Sequence, residues 1–199
     1  MTRRLILAGH GGQGVLELAN YVSMFEMLRG QHVASTPSYG PESRGGKVKC
    51  YVVTSDEEIG SPVVEEADFL VAMNIPSMDY LPLLRPGGTL LANSSLVTTP
   101  PARGDIRVVM VPATEMSAEL KDRFEGVEDT KIAANSVMFG AYLAVTGEEL
   151  DEAKMSEVFA KFLVGRKASY IPLNMAAVRR GFEYGSALAS GQKAAPTPL

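Results

Sequence analysis

The sequence is poor in the side chains that build disulfides and metal clusters. It contains one cysteine, Cys50, and two histidines among 199 residues. A single thiol excludes an intrachain disulfide, which fits a reducing compartment. It also excludes an iron–sulfur cluster ligated by this chain's own cysteines, because such clusters take about four ligands. His10 and His32 have no close acidic partner in the sequence, so no zinc site is predicted.

Other features that are missing narrow the class of protein further. Tryptophan is absent and aromatic residues make up only 7% of the chain, which argues against a stacking platform for single strands. The net charge of −4 argues against wholesale nucleic-acid binding. No apolar run reaches the roughly 18 residues of a membrane helix. The basic start, Met1–Arg4, leads into an apolar stretch broken by Gly9 and His10, which disfavours a secretory signal. We therefore expect a cytoplasmic protein with no membrane and no nucleic-acid partner.

Short apolar runs typical of strands alternate along the chain with segments of helical periodicity, and 46% of the residues are hydrophobic, enough to fill a core. The pattern predicts strands at Arg4–Ala8, Gln31–Thr36, Lys47–Thr54, Asp68–Met73, Thr89–Asn93 and Arg107–Val111. It predicts helices at Gln13–Arg29, Ala113–Phe124, Ile132–Thr146, Asp151–Leu163 and Leu173–Leu188. This alternation indicates an α/β fold, three-layer α/β/α, with a mostly parallel central sheet or a mixed one. We expect one domain over residues 1–190 and a disordered tail at 191–199.

The first glycine loop directly follows the first predicted strand. Gly9, Gly11 and Gly14 match the spacing G-x-G-x-x-G, which permits a tight strand-to-helix turn and offers a helix N-terminus to a phosphate. A nicotinamide site should also carry an acidic residue about twenty positions later, for the ribose hydroxyls. The stretch Gln31–Pro37 contains none, which counts against that cofactor. The alternative is that the glycines serve only close packing of strand against helix.

A second glycine-rich segment, Ser38–Gly46, precedes the third predicted strand. Arg44, Lys47 and Lys49 make it locally positive, and the two lysines share one face of the strand. One interpretation is an exposed charged face. The other is an anion site or a subunit contact in which Arg44 pairs bidentately with a carboxylate or phosphate.

Asn74 stands at the exit of the strand predicted at Asp68–Met73, where ligands gather in open α/β sheets. It is therefore a site candidate; the alternative is a role as a turn residue.

Together these stretches resemble the gamma subunit of the 2-oxoacid:ferredoxin oxidoreductases, the family of pyruvate, 2-oxoisovalerate and 2-oxoglutarate synthases. The likeness covers about residues 4 to 185. It rests on the two glycine loops and on Ile59–Pro62, Ala67–Asp68 and Asn135–Ala141. The order and spacing of the two loops are the specific part of the resemblance.

The resemblance implies a subunit of an enzyme complex that converts a 2-oxoacid, with 2-oxoglutarate expected, to acyl-coenzyme A, CO2 and reduced ferredoxin. Thiamine diphosphate and magnesium would be held by alpha and beta subunits. Iron–sulfur clusters would lie on the beta subunit or on a ferredoxin-like delta subunit. This chain would hold none of these cofactors and would be inactive alone. The isolated chain is a candidate for homodimer formation through a surface meant for its partners.

No catalytic residue and no metal ligand is expected in this chain. The two loops are predicted to contact coenzyme A or a partner subunit. The alternative from another class is a stand-alone nucleotide- or dinucleotide-binding module of Rossmann-like type. The candidate residues are Gly9, His10, Gly11, Gly12, Gln13, Gly14, Gly40, Glu42, Arg44 and Gly45.

Overall fold

The computed structural model describes residues 1–39, 46–120, 123–124 and 133–190. The density of contacts along the chain divides it into two compact units, Met1–Met110 and Val111–Leu199. The expectation of one domain over residues 1–190 stays a prediction. The tail expected at 191–199 lies outside the described residues.

The described elements alternate as the periodicity predicts. The strands are β1 Arg3–His10, β2 His32–Tyr39, β3 Lys47–Ser55, β4 Ala67–Ala72, β5 Leu84–Asn93 and β6 Arg107–Val111. The α-helices are α1 Val15–Leu28, α2 Ala113–Ala118, α3 Ala134–Val145, α4 Glu152–Phe162 and α5 Ile171–Ala189. The described elements also include two 3-10 segments, η1 Ile75–Leu83 and η2 Gly165–Tyr170.

The strands form one six-stranded sheet in the order β2-β3-β1-β4-β5-β6. The β1–β4 and β4–β5 pairs are parallel, whereas β3 runs antiparallel to both β1 and β2. The α/β class is confirmed, and the sheet is the mixed alternative. Since β1, β4 and β5 are parallel, their carboxyl ends meet at one edge, and the start of β3 lies there too.

The first unit buries both faces of its central strand. Leu5, Ile6 and Leu7 are fully buried, as a continuous apolar run predicts. Alternation along β1 places Ile6 on the face covered by η1 and the other two on the face covered by α1. Both faces of the central strand are therefore covered, so a binding site has to lie at an edge of the sheet.

A buried acid fixes the end of α1 to the start of β1. The Glu26 side chain is 2% exposed, and it accepts hydrogen bonds from Arg29 at 2.9 Å and from Arg3 at 3.4 Å. Arg3 also lies over the Phe69 ring, 5.8 Å from its centroid. A buried carboxylate needs such partners, because its desolvation is costly when it is unpaired.

The second unit is built from helices, and α3 packs along α5. The whole circumference of α3 is buried, apart from the half-buried Ala144. Arg180 of α5 is 7% exposed; it donates to the Met116 carbonyl at 3.0 Å and pairs with Glu119. A buried guanidinium thus satisfies a carbonyl at the end of α2.

Two local predictions differ from the structure. The second strand continues through Pro37 to Tyr39, instead of ending before the proline. Because β2 is an edge strand, the missing N–H of a proline is tolerated there. The strand predicted at Thr89–Asn93 begins five residues earlier, since the breaker-rich Leu84–Gly88 belongs to β5 and forms an irregularity in its register with β4.

Candidate functional site

The structure brings the described parts of the two glycine loops together at the edge where β1, β4 and β5 end. The first loop leaves β1 at His10, and the second returns into β3 at Lys47, which is the register partner of His10. The Gly11 N–H donates to the Gly46 carbonyl at 3.0 Å. This edge thus holds the first loop and the described end of the second, at Gly46.

The glycines of the first loop have reasons within the chain. A Cβ at Gly9 would lie 2.6 Å from Val15 Cγ2 and 2.8 Å from Gln13 Oε1, so only glycine lets the loop fold over this point. Gly12 and Gly14 have φ angles of 95° and 68°, in the left-handed region that favours glycine. Gly14 is the N-cap residue of α1. Packing therefore explains Gly9, and backbone conformation explains Gly14 and also Gly12, which is not one of the three glycines of the spacing.

Gln13 holds the loop together through its side chain. Its Oε1 accepts hydrogen bonds from the His10 N–H and from Asn74 Nδ2, both at 2.7 Å. Its Nε2 makes a long hydrogen bond of 3.5 Å to the Met73 carbonyl. The Gln13 N–H also donates to the His10 carbonyl at 3.1 Å. The amide of Gln13 is therefore committed to the loop and to the end of β4.

Asn74 connects this loop to η1. Its Oδ1 caps the segment by accepting from the Ser77 N–H at 3.1 Å and from the Ser77 hydroxyl at 2.7 Å. Asn74 is 7% exposed. Asn93, at the end of β5 and fully buried, donates to the Met73 carbonyl at 3.4 Å. Side-chain amides thus join the ends of three parallel strands.

The sequence reasoning did not predict η1, nor the part it plays beside the loops. The signal was present in Asn74, Pro76 and Ser77, since an N-cap asparagine followed by a proline in the first turn is a start signal for helical structure. Asn93 gave no separate signal, because an asparagine at a strand end has many explanations.

The lysines that leave the second loop are engaged by η1. Lys47 Nζ lies 2.7 Å from Asp79 Oδ2, and both side chains are more than half exposed. Lys49 Nζ lies 5.0 Å from the ring centroids of both Tyr51 and Tyr80, a cation–π arrangement. A hydrogen bond to Tyr51 raises the pKa of Lys49 above its ordinary value, so this lysine is charged at neutral pH. Both lysines on this face already have partners within the chain.

The remaining candidates fall into two groups. His10 is half-buried and borders the loop, while Gly11 and Gly12 are exposed at its tip. The candidates of the second loop, Gly40, Glu42, Arg44 and Gly45, lie outside the described residues.

The sheet order is unfavourable to the dinucleotide alternative. In the Rossmann unit the strand after the first helix lies directly beside the first strand. Here β3 separates β1 from β2, and β2 carries no acidic residue. The glycine spacing therefore occurs without the neighbouring strand that would place an acid on the ribose.

We also searched the other described parts of the chain for metal, membrane, thiol and cleft sites. Among residues 1–39, 46–120, 123–124 and 133–190, no group of three or more His, Cys, Asp or Glu side chains could hold a metal ion. In the same ranges no helix combines the length and apolarity needed to cross a bilayer. Burial raises the pKa of the Cys50 thiol, which lies 3.2 Å from the Ser35 hydroxyl, so it is not a reactive thiolate. A cleft of about 440 Å³ at the opposite edge is lined by Arg4, Ser61, Val63, Glu65 and Glu66, away from both loops.

Comparison with known proteins identifies the class to which this geometry belongs. Residues 4–184 match the family described as pyruvate ferredoxin/flavodoxin oxidoreductase. The ketoisovalerate oxidoreductase subunit VorA of Methanothermobacter thermautotrophicus is 36% identical over 182 residues, which are 91% of this chain and 36% of VorA. The 2-oxoglutarate synthase subunit KorC of Methanothermobacter marburgensis is 37% identical over 155 residues, which are 74% of this chain and 79% of KorC. The chain thus spans about a third of the length of the VorA relatives.

Solved structures agree with the sequence relatives. The gamma subunit of keto/oxoacid ferredoxin oxidoreductase from Geobacter sulfurreducens superposes with a TM-score of 0.72 at 30% identity, covering 94% of this chain and 99% of that one. A 2-oxoglutarate:ferredoxin oxidoreductase from Magnetococcus marinus shares the fold, with a TM-score of 0.76 at 19% identity over 98% of this chain and 32% of that one. The fold is thus that of a gamma subunit of a 2-oxoacid:ferredoxin oxidoreductase. The chain belongs to the pyruvate ferredoxin/flavodoxin oxidoreductase family.

Proposed function

We propose that this chain is the gamma part of a 2-oxoacid:ferredoxin oxidoreductase, which oxidatively decarboxylates a 2-oxoacid to acyl-coenzyme A, CO2 and reduced ferredoxin. The match over residues 4–184 carries the proposal. In this assignment thiamine diphosphate, magnesium and the iron–sulfur clusters belong to alpha, beta and ferredoxin-like delta parts. The chain's single cysteine supports this division, because it cannot ligate a cluster alone. Without those parts we expect the chain to be inactive.

Two substrates are candidates. The sequence resemblance favours 2-oxoglutarate, and relatives named 2-oxoglutarate synthase subunit KorC are 33% to 37% identical. A branched 2-oxoacid, ketoisovalerate, is supported by the VorA relatives, which match 91% of the chain at 34% to 36% identity. A substrate panel on the assembled complex decides between them by the ratio of kcat/KM values, the quantity that measures discrimination.

For the two loops we propose a contact with coenzyme A or with the subunit that holds it. Three features support this role: the loops meet at one edge of the sheet, the Gly11–Gly12 tip is exposed, and Lys47 and Lys49 are nearby cations. Backbone N–H groups beside cations suit a pyrophosphate. The internal partners of both lysines favour the subunit contact, because each would have to leave its partner to bind a phosphate.

The assignment is tested by affinity purification of the tagged chain from its native extract under anaerobic conditions. We expect thiamine-diphosphate-binding chains and a ferredoxin-like chain to co-purify, with dye reduction that depends on a 2-oxoacid and on coenzyme A. Recovery of the chain alone, without this activity, would contradict the proposal. A rise in melting temperature with NAD or FAD would then favour the stand-alone binding module.

Replacing Arg44 by alanine separates the two roles of the loops. If Arg44 binds a phosphate of coenzyme A, the assembled complex keeps its subunits, and its affinity for coenzyme A falls by roughly tenfold, as expected for a charge-assisted hydrogen bond. If Arg44 makes a subunit contact, the variant co-purifies less of its partners. Replacing Arg166, which is exposed and lies in η2, is the matched control for loss of an arginine charge.

A further inference from the structure

Backbone donors fix the orientation of the two side-chain amides beneath the first glycine loop. Gln13 Oε1 faces the His10 N–H at 2.7 Å, and an N–H can only donate, so the facing atom must be the oxygen. The Ser77 N–H fixes Asn74 Oδ1 in the same way at 3.1 Å. Asn74 Nδ2 is therefore the donor in the 2.7 Å contact with Gln13 Oε1, and the direction of this hydrogen bond is determined from both ends.

Asn74 acts on the loop from a position that a ligand does not reach. It is 7% exposed, whereas Gly11 and Gly12 form the exposed tip. It reaches the tip through Gln13, whose oxygen also holds the His10 N–H at the base of the loop. Gly9 leaves the space that this oxygen occupies, since a Cβ there would come within 2.8 Å of it.

We infer that Asn74 is a positioning residue, which holds the first glycine loop in its observed shape through Gln13 while it caps η1 with its other amide atom. This inference rests on the function proposed above for that loop. Asparagine is the side chain that meets both demands, because it offers one acceptor to Ser77 and one donor to Gln13. Aspartate would keep the cap and lose the donor.

Two isosteric substitutions test the direction of the contact. Asn74→Asp keeps an acceptor for the Ser77 N–H but turns a second oxygen towards Gln13 Oε1, so the loop loses a hydrogen bond. Gln13→Glu keeps an oxygen facing both the His10 N–H and Asn74 Nδ2. Each variant adds one negative charge to the same pair of residues, and only the first removes the donor to Gln13 Oε1; Gln13→Glu gives up just the long 3.5 Å hydrogen bond from Nε2 to the Met73 carbonyl. The pair is therefore matched in charge and size.

The first readout is hydrogen exchange of the full chain, followed by mass spectrometry over residues 9–14. We expect Asn74→Asp to accelerate exchange in this segment by about tenfold, as loss of one hydrogen bond implies, and Gln13→Glu to accelerate it much less. Unchanged exchange in Asn74→Asp, or equal acceleration in the two variants, would overturn the inference. If Asn74→Asp does not fold, Gln13→Met is tested in its place, because it removes the acceptor of the same hydrogen bond. It should accelerate exchange over residues 9–14 by a similar factor. Unchanged exchange in this variant would overturn the inference.

The second readout is the assembled complex with Asn74→Asp. A displaced loop should raise the KM for coenzyme A, or weaken retention of partner subunits, while kcat at saturating coenzyme A is kept. A fall in kcat with KM and assembly unchanged would overturn the positioning role. Failure of the proposed function itself is visible separately, because the wild-type chain would then recover no partners at all.

Discussion

Replacing a glycine inside a helix by alanine usually stabilises a protein, but where α3 crosses α5 we expect the same change to destabilise it. An ideal Cβ placed on Gly181 would lie 1.9 Å from the Val137 carbonyl oxygen and 2.7 Å from its carbon. Gly140 has the same relation to Val178, with its Cβ 2.0 Å from that carbonyl oxygen. Both obstacles are backbone atoms, which cannot rotate away. Replacing Gly181 by alanine must therefore push the two helices apart.

The expected cost follows from two opposing terms. In a free helix, changing glycine to alanine stabilises by about 1 kcal/mol. Overpacking of a filled interior costs about 1–3 kcal/mol, and here the upper end applies because the clash is with the backbone of α3 at the buried Val137. The net effect of Gly181→Ala is a loss of about 2 kcal/mol. For a chain of this size that loss lowers the midpoint of thermal unfolding by about 4–8 °C.

Urea denaturation followed by far-ultraviolet circular dichroism measures the difference. Ser156→Ala on the exposed side of α4 is the control, because it adds helix propensity without a contact and should be neutral or slightly stabilising. The reasoning would be refuted if Gly181→Ala were as stable as the wild type or more stable, since the clash would then cost no more than the roughly 1 kcal/mol that helix propensity returns.

Further predictions concern charge and the first glycine. Glu26→Ala should cost about 3 kcal/mol in urea denaturation, because it leaves two guanidiniums without their buried carboxylate, whereas Glu152→Ala breaks an exposed pair and should cost far less. A hydrogen bond from Lys154 lowers the pKa of the Asp151 carboxyl. Its stabilising effect is therefore present at neutral pH and lost as the pH falls below about 4, so Asp151→Ala should unfold at a lower temperature than the wild type at pH 7 and at a similar one in acid. Gly9→Ala should destabilise the chain in the same urea assay, since its Cβ would meet three atoms within 3.0 Å; a neutral result would contradict the packing explanation.

The elements that sequence predicted best are those with strong local signals. Leu5–Leu7 forms a continuous apolar run and is fully buried, and Val15, Leu18, Val22 and Phe25 line the buried face of α1 as their spacing indicates. Both patterns depend only on residues a few positions apart. Burial of such a run follows from its composition, whatever the rest of the chain does.

The pairing of the strands could not be predicted in the same way. The residues of Lys47–Ser55 do not by themselves indicate that this strand inserts between β1 and β2. Both neighbouring strands offer similar apolar faces, and register is decided by long-range pairing. The predicted end of the second strand before Pro37 was wrong for a related reason. Its tolerance depends on β2 being an edge strand, which is a property of the whole sheet.

The candidate site shows the same division between local and long-range information. That Gly9 to Gly14 forms a turn was predictable from spacing. That Gln13 meets Asn74, 61 positions away, was not, because two amides carry no complementary pattern in a sequence. The described parts of the two loops meet at the Gly11–Gly46 hydrogen bond, which is likewise a long-range contact.

Some glycines of the first loop are required by the fold, and others form the surface that a ligand could contact. This distinction decides what the glycine motif says about function. Gly9 and Gly14 of the spacing, together with Gly12, are demanded by packing or by backbone conformation, so these three glycines mark the fold whether or not a ligand binds. The surface left to a ligand or subunit is the exposed tip at Gly11 and Gly12, which presents backbone and no side chain beyond Cα. Recognition at this tip therefore depends on loop shape, because backbone groups cannot reorient as side chains do. The residues that determine that shape, Gln13 and the buried Asn74, are then expected to influence binding as strongly as any residue at the surface.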